Sequence, residues 1–141
     1  MSADGRLVLV VEDSGADATL IRLAFNRAGF ENRIQTAASV EDGLDYLVGR
    51  GRYEDRIRFP FPSLIILDHK MPGDGWPIIE WVRQRSEMAL LPLVVFSGSD
   101  NPNHQRKALE LGANAYHIKP TEFAAFNEVV RRIGEFWLRG V

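Results

Sequence analysis

The sequence predicts an α/β fold built on a doubly wound, five-stranded parallel sheet, and three observations carry that prediction. Five strand-like segments, four of them apolar runs, alternate with five stretches of helical periodicity. The run at 7–11 is continuous in Val and Leu rather than alternating with polar residues, which marks a strand covered on both faces. Four of the runs stop at a polar group: Glu12-Asp13, Asp68, Ser97 and Lys119. In a parallel sheet those stops share the carboxyl edge, where open α/β sheets place their ligands.

The elements follow in order. Residues 7–11 are short and β-branched, the mark of an interior strand. Ser14 can cap the helix that follows, whose Ala18, Ile21, Ala24, Phe25 and Ala28 recur at helical spacing until Gly29. Residues 32–37 form a more polar strand, which belongs at the sheet edge. Ser39 caps a second helix marked by Val40, Leu44 and Leu47, with Glu41 and Asp42 in its first turn, where the helix dipole favours acids. Gly49 to Arg52 stop it. Residues 53–62 lack any period and carry Pro60 and Pro62, so they read as a surface connection into the third strand. Ile78, Ile79 and Val82 mark a third helix, with Asp74 and Gly75 as cap candidates and Pro77 in its first turn. The fourth starts near Pro102, capped by Asp100 or Asn101, and closes at Gly112. Phe123, Phe126, Val130, Ile133 and Trp137 form the stripe of the fifth. Right-handed crossovers then give the flavodoxin-like strand order 2-1-3-4-5.

Bulk composition narrows the function. At 141 residues and 45% hydrophobic, the chain reads as a single domain spanning 1–141, with a full core and no output domain. A net charge of −2 argues against a nucleic-acid partner, which needs a concentrated basic face. Without cysteine there is no disulfide, thiolate metal site or cysteine nucleophile. No apolar run reaches the roughly 18 residues of a membrane span, and residues 1–6 lack a targeting apolar region. The expectation is a cytoplasmic protein without membrane contact.

The strand-end residues suit phosphoryl chemistry. A carboxylate attacks phosphorus only when its own charge and those of the phosphoryl oxygens are neutralised and held in line. Asp68 is the expected nucleophile. Glu12 and Asp13 offer oxygen ligands for a hard divalent cation, Mg²⁺ being the natural choice because it takes only one or two carboxylates and keeps its waters. Lys119 can pair with phosphoryl oxygens as a point charge, and Ser97 can hydrogen-bond another. Gly98 lets the backbone approach closely.

Glu12-Asp13, Asp68, Ser97 and Lys119-Pro120, in that order and each at a strand end, resemble the receiver domain of two-component response regulators over essentially the whole chain. The start Val11 to Ala18, the long connection before the third strand, the segment Glu110 to Tyr116 and the ending Glu135 to Leu138 resemble the small single-domain regulators that partner bacterial phytochromes. The resemblance implies that a sensor histidine kinase donates phosphate to Asp68 with Mg²⁺, and that Ser97 is drawn inward. It implies that Tyr116 is an aromatic switch and that the Lys119-Pro120 peptide is cis. It adds the Lys70 backbone carbonyl to the metal shell formed by Glu12, Asp13 and Asp68. It further implies a homodimer through the face formed by helix 4, strand 5 and helix 5, and an output through a downstream protein or a histidine phosphotransfer protein. The chain would catalyse only its own Mg²⁺-dependent phosphorylation and dephosphorylation, and would not otherwise be an enzyme. His69 to Gly75 is one residue shorter than the usual motif, and Lys70 places a cation two residues past Asp68, where it could weaken Mg²⁺ binding or shield the acyl phosphate from water.

Other residues carry plainer expectations. His69, His104 and His117 share no metal-ligand spacing and read as surface or structural residues. Arg50, Arg52, Arg56 and Arg58, interleaved with Glu54 and Asp55, read as a solvated loop. Phe136, Trp137 and Leu138 span most of the helix circumference, so one of them should face solvent or a partner. The competing functional reading is a phosphorylation-independent interaction module whose site has decayed at Lys70 and the shortened loop.

Overall fold

A computed structural model of the chain describes residues 6–139, so the reading of the first residues as free of a targeting segment lies almost wholly outside the described part. The element order is β1 (Leu7–Val11), α1 (Gly15–Arg27), β2 (Arg33–Ala37), α2 (Val40–Val48), β3 (Leu64–Leu67), α3 (Trp76–Arg83), β4 (Leu93–Ser97), α4 (Pro102–Leu111), β5 (Ala115–Ile118) and α5 (Phe123–Trp137). Short 3₁₀ turns lie at Gly51–Tyr53 and Ser86–Met88. All strand pairs are parallel, in the order β2-β1-β3-β4-β5. That is the expected doubly wound sheet.

The three interior strands are covered on both sides, which explains their continuous apolar sequence. Leu7, Leu9, Val11, Ile65, Leu67, Leu93 and Val95 point to one face, where α2, α3 and α4 cover them with Tyr46, Ile78, Ile79, Val82 and Ala108. Val8, Val10, Leu64, Ile66, Val94 and Phe96 point to the other, against Ile21 and Phe25 of α1 and Phe126, Val130 and Ile133 of α5. The period of two sorts each strand between two cores, and each such side chain contributes about 1.5–3 kcal/mol by leaving water.

Helix ends follow the sequence signals. Ser14 and Ser39 accept from the amides of Asp17 and Asp42, three residues on, and Asn101 caps α4 by accepting from Asn103. Gly75, rather than the acid before it, stands at the start of α3, and no side chain caps that helix. A Cβ at Gly75 would lie 3.1 Å from the His69 Cα and 3.2 Å from the Asp68 carbonyl oxygen, so its lack of a side chain lets α3 start directly against the end of β3.

Residues 54–61 form the expected surface connection, and what the sequence does not show is how its start is anchored. Tyr53 is fully buried, its hydroxyl donates to Asp42 at 2.9 Å, and its ring packs edge-on against Tyr46 and Phe59. Tyr46 in turn donates to the Pro60 carbonyl at 2.7 Å. Three aromatic rings, the two tyrosines with their hydroxyls satisfied, pin the connection in place, although no periodicity announces it. The arginines there are anchored too: Arg50 and Arg52 pair with Asp45 and Asp42, while Arg56 and Arg58 lie over the rings of Tyr46 and Phe59. The Lys119-Pro120 peptide is trans, as are all described peptide bonds, against the expected cis form. The trans form is the lower-energy isomer of an X-Pro bond by about 0.5–1 kcal/mol, and it leaves the Lys119 amide in a 2.7 Å hydrogen bond to the Ser97 carbonyl.

Gly134 sets the distance between α5 and the end of α1. A Cβ there would come within 2.6 Å of the Phe30 ring and 3.0 Å of the Phe25 ring, both buried. Gly134→Ala gains helix propensity but must displace these rings, and overpacking outweighs the gain. Urea denaturation should show a net loss of about 1–2 kcal/mol.

Candidate functional site

Sheet register brings the polar strand ends into a staggered row. Val11 pairs with Leu67, so Glu12 stands level with Asp68 on the neighbouring strand. Leu67 pairs with Val95, which sets Ser97 one residue beyond Asp68, and Ser97 pairs with Ile118, which sets Lys119 one residue further still. Lys119 can therefore reach back across the sheet edge.

Its Nζ lies 2.5 Å from Glu12 Oε1, 2.8 Å from Asp17 Oδ2 and 2.9 Å from Asp68 Oδ2. Asp17 is the member that strand-end reasoning misses. As the third residue of α1 it reads as a first-turn acid placed for the helix dipole. The available signal was its position one turn beyond the acidic pair, which turns it back over the same edge.

Glu12 is 3% exposed, Asp68 6% and the Lys119 side chain 9%, so the charges interact in a poorly hydrated setting. Burial acts against the Lys119 ammonium, but its hydrogen bonds to Asp17, Glu12 and Asp68 prevail and hold its pKa above the usual lysine range. Burial pushes the Glu12 carboxyl up to about 7, against the pull of Lys119 and the Ser14 amide, and the Asp68 charge adds to the rise. These directions agree, because one ammonium cannot neutralise three neighbouring carboxylates.

The remaining expected residues divide. Asp13 is exposed at the mouth of the site. Ser97 is fully buried and its Oγ accepts from the Ser99 amide at 3.2 Å. The Lys70 side chain is exposed, while its amide donates to Asp68 Oδ1 at 2.8 Å. Among the described residues no three Asp, Glu or His side chains are arranged to hold a metal ion, and Glu12 and Asp68 are both engaged by Lys119. Tyr116 faces the site side of β5: its hydroxyl donates to the Ser99 carbonyl at 2.8 Å and meets His69 Nε2 at 3.0 Å.

Of the two readings open for the histidines, surface or structural, His69 takes the structural one. His69 is 2% exposed, stacks on Trp76 at 4.5 Å between centroids, and faces the His104 ring at 4.8 Å. His104 Nδ1 lies 2.7 Å from Ser99 Oγ. Burial, with the facing His104, lowers the His69 pKa. Far apart in sequence and on different elements, the two rings meet only because α3 and α4 flank the same sheet edge.

A profile of the response regulator receiver domain matches residues 8–131. The chain belongs to the response regulator receiver family. Among curated relatives, the probable methanogenesis regulatory protein FilR2 of Methanothrix harundinacea is 33% identical over 96% of this chain and 85% of its own length. Among solved structures, RPA3017, a response regulator in red light signalling of R. palustris, matches at TM-score 0.89 and 32% identity over 96% of each chain. The phosphorylated cyanobacterial phytochrome response regulator RcpA matches at TM-score 0.88 and 27% identity, over 97% of this chain and 96% of its own. The Mn²⁺-bound form of response regulator Rcp1 matches at TM-score 0.86 and 28% identity over 96% of both. Receiver domains are signalling modules rather than enzymes of metabolism, and they bind divalent metal, as the Rcp1 form illustrates. No helix among the described residues is long and apolar enough to cross a membrane.

Removing the ammonium leaves three carboxylates in mutual repulsion and takes away the pull that opposes the rise of the buried Glu12 carboxyl, already pushed up to about 7. Lys119→Met should therefore lose about 3 kcal/mol at pH 8 in metal-free buffer, and recover much of it by pH 5 as Glu12 takes up a proton. Urea denaturation at the two pH values checks this; a loss independent of pH would contradict it.

Proposed function

We propose that the chain is a phosphoacceptor switch, in which Asp68 receives a phosphoryl group from a sensor histidine kinase and the change is read through protein contacts. The observation that carries this reading is the Lys119 ammonium held against Asp68 at 2.9 Å in a site whose other walls are acidic. A buried lysine so placed has three carboxylates to satisfy, so it can move toward incoming phosphoryl oxygens without losing its neutralisation.

In the transfer, an Asp68 carboxylate oxygen attacks phosphorus while the phosphorus–nitrogen bond of a donor phosphohistidine breaks and its electron pair returns to the imidazole. Lys119 supplies positive charge to the phosphoryl oxygens, and the Ser97 hydroxyl is the expected hydrogen-bond partner for one of them. The exposed Asp13 carboxylate, Asp68, the Lys70 carbonyl and Glu12 are the hard oxygen donors that would hold Mg²⁺, which needs few protein carboxylates. When bound, that ion would neutralise charge between Asp68 and the phosphoryl group. The interaction-module alternative loses support, since acid pair, nucleophile, hydroxyl and lysine are all retained.

The phytochrome-type kinases are the first candidates for the donor, on the strength of the similarity to the phytochrome response regulator RcpA. We infer a homodimer through α4, β5 and α5, where Leu109, Ile118 and Phe136 are 51%, 43% and 59% exposed. Phe136 is thus the outward member of the apolar trio, and Leu138 the buried one. The outputs considered are a downstream protein or a histidine phosphotransfer protein. On this reading the chain would act by protein contact in the cytoplasm.

The test is phosphorylation by acetyl phosphate followed by intact mass. Wild type should gain one phosphoryl group only with Mg²⁺ present, and Asp68→Asn none. No gain in folded wild type at saturating Mg²⁺ would overturn the proposal.

A further inference from the structure

The site does not by itself account for the aromatic group beside it. His69, immediately after the phosphoacceptor, is buried, stacked nearly parallel on Trp76 with an interplanar angle of 13°, and hydrogen-bonded to Tyr116. The direction of that bond follows from counting protons. The Tyr116 hydroxyl has one proton, and the Ser99 carbonyl 2.8 Å away can only accept, so that proton is committed there. His69 Nε2 must then carry a hydrogen and donate to the Tyr116 oxygen at 3.0 Å. On the far side, Ser99 is fixed a second time through its own hydroxyl, which meets His104 Nδ1 at 2.7 Å.

We propose that His69 is a positioning residue for Tyr116: its Nε2–H, held in place by the Trp76 stack, ties the Tyr116 ring to the strand end that carries Asp68. The inference deepens the phosphoacceptor reading and rests on it for its significance, since it supplies a covalent neighbour of Asp68 through which a change at the carboxylate reaches β5. Backbone displacement at Asp68 moves the imidazole, and the imidazole moves the tyrosine. The loop after β4 is coupled to the same chain, because the Tyr116 proton ends on its Ser99 carbonyl.

Two substitutions separate a donor from a packed ring. His69→Gln keeps a terminal N–H at comparable reach, whereas His69→Phe keeps an aromatic face for Trp76 and removes the donor. The readout is the ¹⁹F spectrum of protein carrying 3-fluorotyrosine, with the Tyr116 resonance identified by its loss in Tyr116→Phe. The chain has 3 tyrosines, so assignment is simple. The proposal expects the wild-type Tyr116 resonance to persist in His69→Gln, and in His69→Phe to shift and gain solvent sensitivity. An unchanged resonance in His69→Phe would overturn it, as would equal displacement in both variants, which would reduce His69 to packing. If His69→Phe fails to fold, His69→Met supplies the donor-free comparison. The spectra are recorded on unphosphorylated protein, so their outcome is distinct from failure of Asp68 to accept phosphate.

Discussion

Everything at the carboxyl edge depends on one ammonium shared among three carboxylates. Lys119 contacts Glu12, Asp17 and Asp68 within 2.9 Å, and all but Asp17 are nearly withdrawn from water. Desolvation makes each of these charges costly alone, so their placement is tolerable only as a group. The group is also left short of positive charge. That deficit suits a divalent cation, and on the proposed function it would give an incoming phosphoryl group a lysine that is already oriented.

The rest of the fold holds that arrangement in register. The interior strands are buried on both faces, and slipping one by a residue would exchange its two apolar sets between cores and carry its terminal polar group out of line. On one side α1 presents Asp17 and packs with α5, where Gly134 permits close contact with Phe25 and Phe30. On the other, α3 begins against Asp68 because Gly75 has no side chain, and its first residue, Trp76, supports His69. Both helical layers thus contribute to the site through their starts.

Strand ends were legible in the sequence because an apolar run that stops at an acid, a hydroxyl or a lysine marks both an element and its edge. Glu12, Asp68 and Lys119 meet as that reading requires, and Ser14, Ser39 and Asn101 cap as their types predict. Features depending on two distant segments were not legible. Asp17 resembles any first-turn acid until Lys119 is seen beside it. Tyr53 sits among charges in an aperiodic connection, and only the facing rings of Tyr46 and Phe59 reveal its burial. His69 and His104 gain a role from Ser99 and Tyr116, which lie on other elements. The trans Lys119-Pro120 bond shows that a feature borrowed from family likeness can fail where residue chemistry alone does not require it.

The most direct test of the shared-ammonium account is to watch Lys119 itself. With Lys70, Lys107 and Lys119 as the only lysines, side-chain ¹⁵Nζ spectra can be assigned by substitution. Beryllofluoride with Mg²⁺ places a phosphoryl mimic on an aspartate. The account predicts a protected Lys119 ammonium in the free protein that shifts when both are added and not in Asp68→Asn. A Lys119 signal as solvent-exchanged as those of the two exposed lysines, or one indifferent to the mimic, would contradict it.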